Sequence, residues 1–449
     1  MQRTRRWSLA GASFGAGLGL LVGAGLLTAV SVASVARPRS APPRLEATHL
    51  PPLLTAAGEP VVLRYDVYCV GADDPAAACD AGGIVYARSG DSGPFQPLPL
   101  RLDPGALEGR YAVHVPESLA RSGFSYYAVL RDARTGVSTE LPVGAPDALE
   151  RSTPLAPSAA VVRLGGHVFG SVRAADARVV SAGWGDGSGD VGLEERGPDA
   201  TPIGASSFDV DSAGRVTVLD EAHRRLLRWS PGTSAPDAVS VPVSGTIADV
   251  ASGPGGATYV LDSGGRGSHT VLRAFDARGL ERAAVQVGDQ AEAVRAGPEG
   301  PVVLEPQSAR WSSPGPRGAG GVGRPLGGAL RLIVYRPEAG EVRVATVTDS
   351  GSVARAWRIE STTAVGEVQL AEPDGRRLVV VLRVYDERHA EFVALVLGSS
   401  GVEQQFSLDA SDWAETAPLG RFRLASGSLY RLGSTPRGMF VDRYDLGVS

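Results

Sequence analysis

From Val61 onward the chain alternates between apolar and polar positions. In VVLRYDVYC, residues 61–69, Leu63, Tyr65, Val67 and Cys69 share one face and Arg64, Asp66 and Tyr68 the other, which is the period of a half-buried strand. The same period returns in GIVYARS (83–89), PLPLRL (97–102), RYAVHV (110–115), FSYYAVLRD (124–132) and GVSTELPV (136–143), separated by turn sequences such as LDPG and DARTG. Short strands at this spacing predict an antiparallel β-sandwich over residues 57–146, entered through a Pro-rich linker at 37–56. A second Pro-rich stretch, 147–159, reads as a hinge, and beyond it the pattern becomes a repeat.

The clearest unit of that repeat is FDVDSAGRVTVLDEAHRRLLRW (208–229): a strand, a glycine turn, a strand ending in Leu-Asp, a loop, and a strand ending in an aromatic residue. ADVASGPGGATYVLDSGGRGSHTVLRAFD (248–276) repeats it, and EAVRAGPEGPVVLE (292–305) repeats its first half. Segments 368–386 and 422–445 lie on the same template. Leu219, Leu261 and Leu304 are 42 and 43 residues apart, the length of one four-stranded propeller blade. The first unit resembles the NHL repeat through Pro202, Gly204, Val210 with Asp211, Gly214, Leu219 with Asp220, Arg225 and Trp229, while His223 stands where that family has Asn. The resemblance implies a β-propeller over 160–449, of six blades with seven as the alternative, presenting a rigid surface to proteins or peptides. WSSPGPRGAGGVGRPLGG (311–328) is expected to be an inserted loop, and closure of the ring calls for the strand near 160–166 to join the last blade. The domain before it is similar in architecture, though not in motif, to immunoglobulin and fibronectin type III sandwiches.

The 58 Gly and 32 Pro residues agree with many short strands and turns, so the fold class expected is all-β, preceded by one N-terminal hydrophobic helix. That helix comes from residues 8–36, which carry no charge and would span roughly 43 Å as a helix, enough for a membrane anchor. A cleaved signal peptide is the alternative, with Ser34-Val35-Ala36 as a small-residue cleavage site. TRRWSL resembles the twin-arginine export motif, with Arg5 and Arg6 as the pair and Ser8 where that family prefers Phe. Gly11, Gly15, Gly19 and Gly23 recur every fourth residue, as in close helix packing or in a glycine-rich export signal. Each reading sends the rest of the chain out of the cytoplasm, to be periplasmic, membrane-anchored or secreted. There the only two cysteines, Cys69 and Cys79, are expected to form a disulfide.

All the basic residues are Arg and they are spread along a chain of net charge −5, so the basic stripe of a nucleic-acid binder is missing. The six His show no HExxH or other metal spacing, and no cofactor fingerprint sits in a βαβ context. WGDGSGDVGLEE (184–195) spaces Asp186, Ser188 and Asp190 as a calcium loop does but lacks its Gly and closing Glu, and so reads as a surface turn. GDSGP (90–94) looks like a serine-protease signature, yet it falls between two strands where Gly90 and Gly93 suit a hairpin, and only His49 precedes it. No catalytic residue is therefore assigned. The residues expected on a propeller face are Asp220, His223, Arg225 and Asp262. The function expected is a non-catalytic scaffold for a protein or peptide partner at the cell envelope, with a membrane contact through residues 8–36 if they are retained. A propeller lyase or lactonase-like hydrolase with a site in the central channel is the alternative.

Overall fold

The computed structural model describes residues 44–70, 80–103, 109–156, 158–197, 199–241, 247–263, 269–305, 309–314, 320–417 and 419–447. The expected N-terminal helix and Cys79 lie outside them. The chain divides into Met1–Pro42 and Pro43–Ser449, and every element described belongs to the second part. The described residues are nearly all β with many four-stranded sheets, as in a β-propeller, and their one α-helix is Glu117–Ser122. Among them no helix is long and apolar enough to cross a membrane.

Two sheets share the first core. One runs Arg44–His49, Val62–Val70, Arg110–His114, Arg101–Leu102; the other runs Leu54–Thr55, Glu150–Pro154, Phe124–Asp132, Ala81–Ser89, Gln96–Pro99, with Ser138–Leu141 beside Phe124–Asp132. Leu63, Tyr65 and Val67 pack against Val85, Tyr126, Ala128 and Leu130, the alternate positions the pattern marked. Three strands fall where linker and hinge were expected, Arg44–His49 and Leu54–Thr55 in the first and Glu150–Pro154 in the second. Arg44–His49 pairs with Val62–Val70 from Arg44↔Val70 to His49↔Tyr65, and Glu150–Pro154 pairs with Phe124–Asp132. Arg44–His49 is an edge strand, whereas Glu150–Pro154 lies between Phe124–Asp132 and the short Leu54–Thr55, its ladder ending at Pro154.

Six further sheets follow among the described residues. The first is Ser207–Val210, Val216–Asp220, Arg225–Trp229, Asp237–Ser240; the second is Ile247–Ser252, Thr258–Asp262, Val271–Phe275, Glu281–Gln286. The third is Ala293–Gly297, Gly300–Glu305, Arg310–Ser312, Gly320–Val322, and the fourth Arg324–Gly327, Leu330–Glu338, Glu341–Thr348, Val353–Ser361. The fifth is Ala364–Asp374, Arg377–Tyr385, Ala390–Gly398, Gly401–Asp409, and the sixth Phe422–Ala425, Ser428–Thr435, Gly438–Asp445. Within each, neighbours in sequence are antiparallel neighbours in space, so each repeat unit of the sequence is one sheet. Part of the stretch expected as an inserted loop is instead Arg310–Ser312, Gly320–Val322 and Arg324–Gly327, strands of three or four residues, too short to show a period.

Each sheet buries its faces on its neighbours. Leu219 and Leu226 of the first meet Val250, Val260 and Phe275 of the second; Leu261 and Leu272 of the second meet Val294 and Val303 of the third. Val344 and Trp357 of the fourth meet Val380 and Leu395 of the fifth, and Phe392 of the fifth meets Phe422 of the sixth edge to face at 5.0 Å. Leu432, Met439 and Val441 of the sixth pack on Phe208, Val218 and Leu227 of the first. The gap between third and fourth is filled differently: Leu53, Leu54 and Leu155 of the two-sheet unit insert beside Ile333, Ala345 and Val347. Arg343 holds this wedge, its Nη1 donating to the Leu54 carbonyl at 2.8 Å and to Glu59 Oε2 at 2.6 Å.

The strand that joins the sixth sheet is not the one near 160–166. Ala177–Gly183 pairs antiparallel with Gly438–Asp445, Ser181 opposite Phe440. Ala160–Gly165 adds as a parallel fifth strand to Val353–Ser361 of the fourth sheet. The reason is placement: the chain leaves the wedge at Leu155, beside the fourth sheet, so that edge is met first. It then crosses the fifth sheet, where Arg173 N donates to the Ser407 carbonyl at 2.8 Å, before reaching the sixth.

Candidate functional site: an axial charge cluster and its cavity

The first strands of neighbouring sheets lie against one another, those of the fourth and fifth joined through the Arg324–Glu372 ion pair, and are therefore innermost. Each brings an ionisable side chain inward: Asp209, Asp249, Arg295, Arg324, Glu372 and Arg423, from the first to the sixth sheet. Asp249, 1% exposed, is the hub. It accepts from Arg295 Nη1 (2.6 Å), Arg423 Nη2 (2.8 Å), Ser207 Oγ (2.5 Å) and the Val294 amide (3.0 Å). Burial alone would push its carboxyl up, but Arg295 and Arg423, with those hydrogen bonds, hold it below the usual carboxylate range. Asp209 goes the other way: burial raises it, offset in part by Arg423 at 3.3 Å. Arg295 Nη2 and Arg423 Nη1 both donate to the Leu419 carbonyl, at 2.8 and 2.6 Å. Arg324 Nη2 donates to Glu372 Oε2 at 2.5 Å, joining the fourth sheet to the fifth. The cluster thus spends its charges on one another, three guanidiniums against three carboxylates.

Beside the cluster lies a cavity of about 210 Å³ bounded by the third, fourth and fifth sheets and capped by Leu53 of the wedge. Its polar lining is Arg295, Arg324, Gln369 and Glu372; Leu304, Trp311, Ile333 and Val368 are among its apolar walls. Trp311, Arg324, Val368 and Glu372 are half-buried, which gives it a mouth. None of the six His lies in the cluster or lines this cavity. Among the described residues no group of three or more His, Cys, Asp or Glu is placed to hold a metal ion.

The residues singled out from the sequence are elsewhere. Asp220, His223 and Arg225 do come together, but as a latch. Buried Asp220 accepts from His223 Nδ1 (2.8 Å), Arg225 Nε (2.7 Å) and the Gly192 amide (3.0 Å), while Arg225 Nη2 donates to the carbonyls of Gly187 and Asp190. His223 Nε2 reaches fully exposed Asp186 at 3.0 Å. Hydrogen bonds to Asp220 first and Asp186 second raise the imidazole's pKa. The latch clamps residues 184–192, the turn whose aspartates mimicked a calcium loop, onto the first sheet. A Cβ on Gly192 would stand 2.6 Å from Ala222 and 3.0 Å from Asp220 Oδ1, so this approach requires glycine. Asp262 is apart from them, in the matching place of the second sheet, with Arg273 Nε donating to it at 3.3 Å. Ser92 lies in the hairpin between Ala81–Ser89 and Gln96–Pro99, Gly90 and Gly93 both having positive φ, and neighbouring Asp91 accepts from Ser125 Oγ. Cys69 sits on Val62–Val70.

No family model matches the chain, and no curated protein matches it. Solved structures that resemble it are propeller-like proteins. One of unknown function from Bacteroides thetaiotaomicron is 9% identical over 89% of this chain and 98% of its own, at a TM-score of 0.33. Virginiamycin B lyase from Staphylococcus aureus is 9% identical over 55% and 86%, at 0.30. YCF48 bound to D1 peptide is 10% identical over 61% and 97%, at 0.31. These are likenesses at low identity and partial superposition, and the architecture above stands on the sheets of this chain alone.

Proposed function

We propose that this chain is an exported or membrane-tethered, non-catalytic protein of the cell envelope, whose six-bladed propeller serves as a binding scaffold for a protein or peptide. An immunoglobulin-like sandwich, closed by a Cys69–Cys79 disulfide, mounts the propeller. The observation that carries this reading is the axial arrangement. Ionisable groups that an enzyme would leave poised are consumed in mutual ion pairs, while the neighbouring cavity keeps polar groups without partners inside apolar walls, the makeup of a binding site. The apolar wedge and Arg343 support the rigid mount. Residues 8–36 and the cysteine pair support export.

The test is photo-crosslinking on intact cells followed by fractionation. The expected result is a discrete crosslinked protein or peptide, in the membrane or extracytoplasmic fraction, with the crosslinks mapping to the six sheets. Recovery of the chain in the cytoplasmic fraction, or turnover of a substrate by the purified chain, would contradict it.

A further inference from the structure

We infer that the axial cavity is a subsite for a small monocarboxylate with an apolar body, held by Gln369 and Arg324; this rests on the binding reading above and gives it a ligand chemistry. In the inner strand of four other sheets the residue at the position of Gln369 in the pattern is charged: Phe208-Asp209-Val210, Ala248-Asp249-Val250, Val294-Arg295-Ala296 and Phe422-Arg423-Leu424. In Val368-Gln369-Leu370 it is a neutral amide. Gln369 is only 8% exposed, lines the cavity, and makes no side-chain hydrogen bond among the described residues. Its amide is not among the side-chain atoms shut away from solvent, so it opens into the cavity and offers both a donor and an acceptor to whatever fills it.

The rest of the lining says what that is. Arg324 gives only Nη2 to the protein, to Glu372 and the Ala371 carbonyl, and its Nε and Nη1 have no partner among the described residues. Trp311 adds an indole N–H that is likewise unpartnered there. Against these donors the acceptors left are the Gln369 carbonyl and one oxygen of Glu372. Donors in excess, with one face of a guanidinium free, select a carboxylate, which accepts at both oxygens. Leu53, Ile333 and Val368 require the remainder of the ligand to be apolar. The cavity holds the equivalent of about seven waters at ~30 Å³ each, room for a single amino-acid side chain or a short branched acid and not for a nucleotide. The carboxylate can belong to a free acid or to the C-terminal residue of a peptide.

The experiment is calorimetric titration of the full chain with four probes: 4-methylpentanoate, 4-methylpentanamide, and acetyl-Gly-Gly-Leu as acid and as amide. The acids are expected to bind saturably and their amides about tenfold or more weaker. Gln369→Leu and Arg324→Lys should each weaken acid binding about tenfold, since one removes the amide and the other the planar fork. Val368→Phe, which fills the cavity, should abolish it; if that variant melts early, Gln369→Leu alone decides. Binding of both free and peptide acids assigns the site to a chain terminus, and binding of the free acid only assigns it to a metabolite-like acid and removes the peptide from this site. Equal binding of acid and amide, binding unchanged in Gln369→Leu, or no saturation up to about 10 mM overturns the inference. A crosslinked partner held equally by wild type, Gln369→Leu and Val368→Phe would leave the scaffold reading in place while removing this cavity from it.

Discussion

Asp249 shows how one side chain is fixed by partners remote in sequence. Its two guanidiniums come from positions 46 and 174 residues away, and removing the carboxylate leaves both buried and uncompensated. Asp249→Ala should therefore cost about 3–5 kcal/mol in denaturant unfolding, and a loss below about 1 kcal/mol would show the cluster to be solvated. Two histidines set opposite pH dependences. His223 is raised by its carboxylates, so its contribution is complete below about pH 6.5 and disappears as pH rises through the higher folded value. The melting-temperature gap between wild type and His223→Gln should then be wider near pH 6 than near pH 9. His49 is the reverse. Its Nδ1 donates to the Arg64 carbonyl, its Nε2 accepts from Tyr126, and burial pushes it down to about 4. Its neutral form must be kept as the unfolded chain takes up protons, so wild type should lose stability relative to His49→Gln as pH falls from about 6.5 toward 4. A gap that does not move with pH in either pair would contradict the corresponding assignment. Asp220, His223 and Arg225 were legible as a group because they lie within six positions of one another. Their role was not, because residues 184–192, which they clamp, show their dependence only in three dimensions. Asp249, Arg295 and Arg423 each stand between apolar neighbours in the sequence but were not singled out, because only the circular order of sheets reveals that they meet.

Strands were legible wherever burial is one-sided. Val62–Val70 and Phe124–Asp132 follow the alternation almost residue for residue, since a half-buried strand writes its period directly. The inner and middle strands of the six sheets are apolar on both faces: in Arg377–Tyr385 and Ala390–Gly398 almost every position is buried, and alternation vanishes. Arg377–Tyr385 was found through repetition instead, within segment 368–386, while Ala390–Gly398 and the strands of the fourth sheet fall outside every segment the repeat marked. Arg310–Ser312 and Gly320–Val322 had neither signal, both being only three residues long and the second glycine-rich. The dependence of each sheet on its neighbours can be measured. Phe392 is fully buried between the fifth and sixth sheets, so Phe392→Ala should cost about 3–5 kcal/mol. The loss should also appear as faster amide exchange in Phe422–Ala425 and Ser428–Thr435, across the interface. Exchange confined to the fifth sheet would mean that the sheets stand independently.

Taken together, the sheets form a cycle in which the sixth packs on the first, and the strand that ties the beginning of the cycle to its end is Ala177–Gly183. A sheet of this kind has no stable life with both faces exposed, and unpaired edges invite pairing with other chains. The two-sheet unit completes the arrangement by filling the one gap that the third and fourth sheets do not close themselves, which also places Leu53 over the axial cavity. The binding reading depends on this closure, because the axial charges and the cavity exist only when all six inner strands converge. It can be tested with cysteines at Ala177 and Arg443, which face each other in the ladder. In the purified, folded double variant, non-reducing peptide mapping should find a 177–443 disulfide formed under mild oxidation, with a raised melting temperature relative to the reduced form. Thiols at both positions that remain free in the folded protein, or that pair only between molecules, would mean that the ring is open and the axial site does not form.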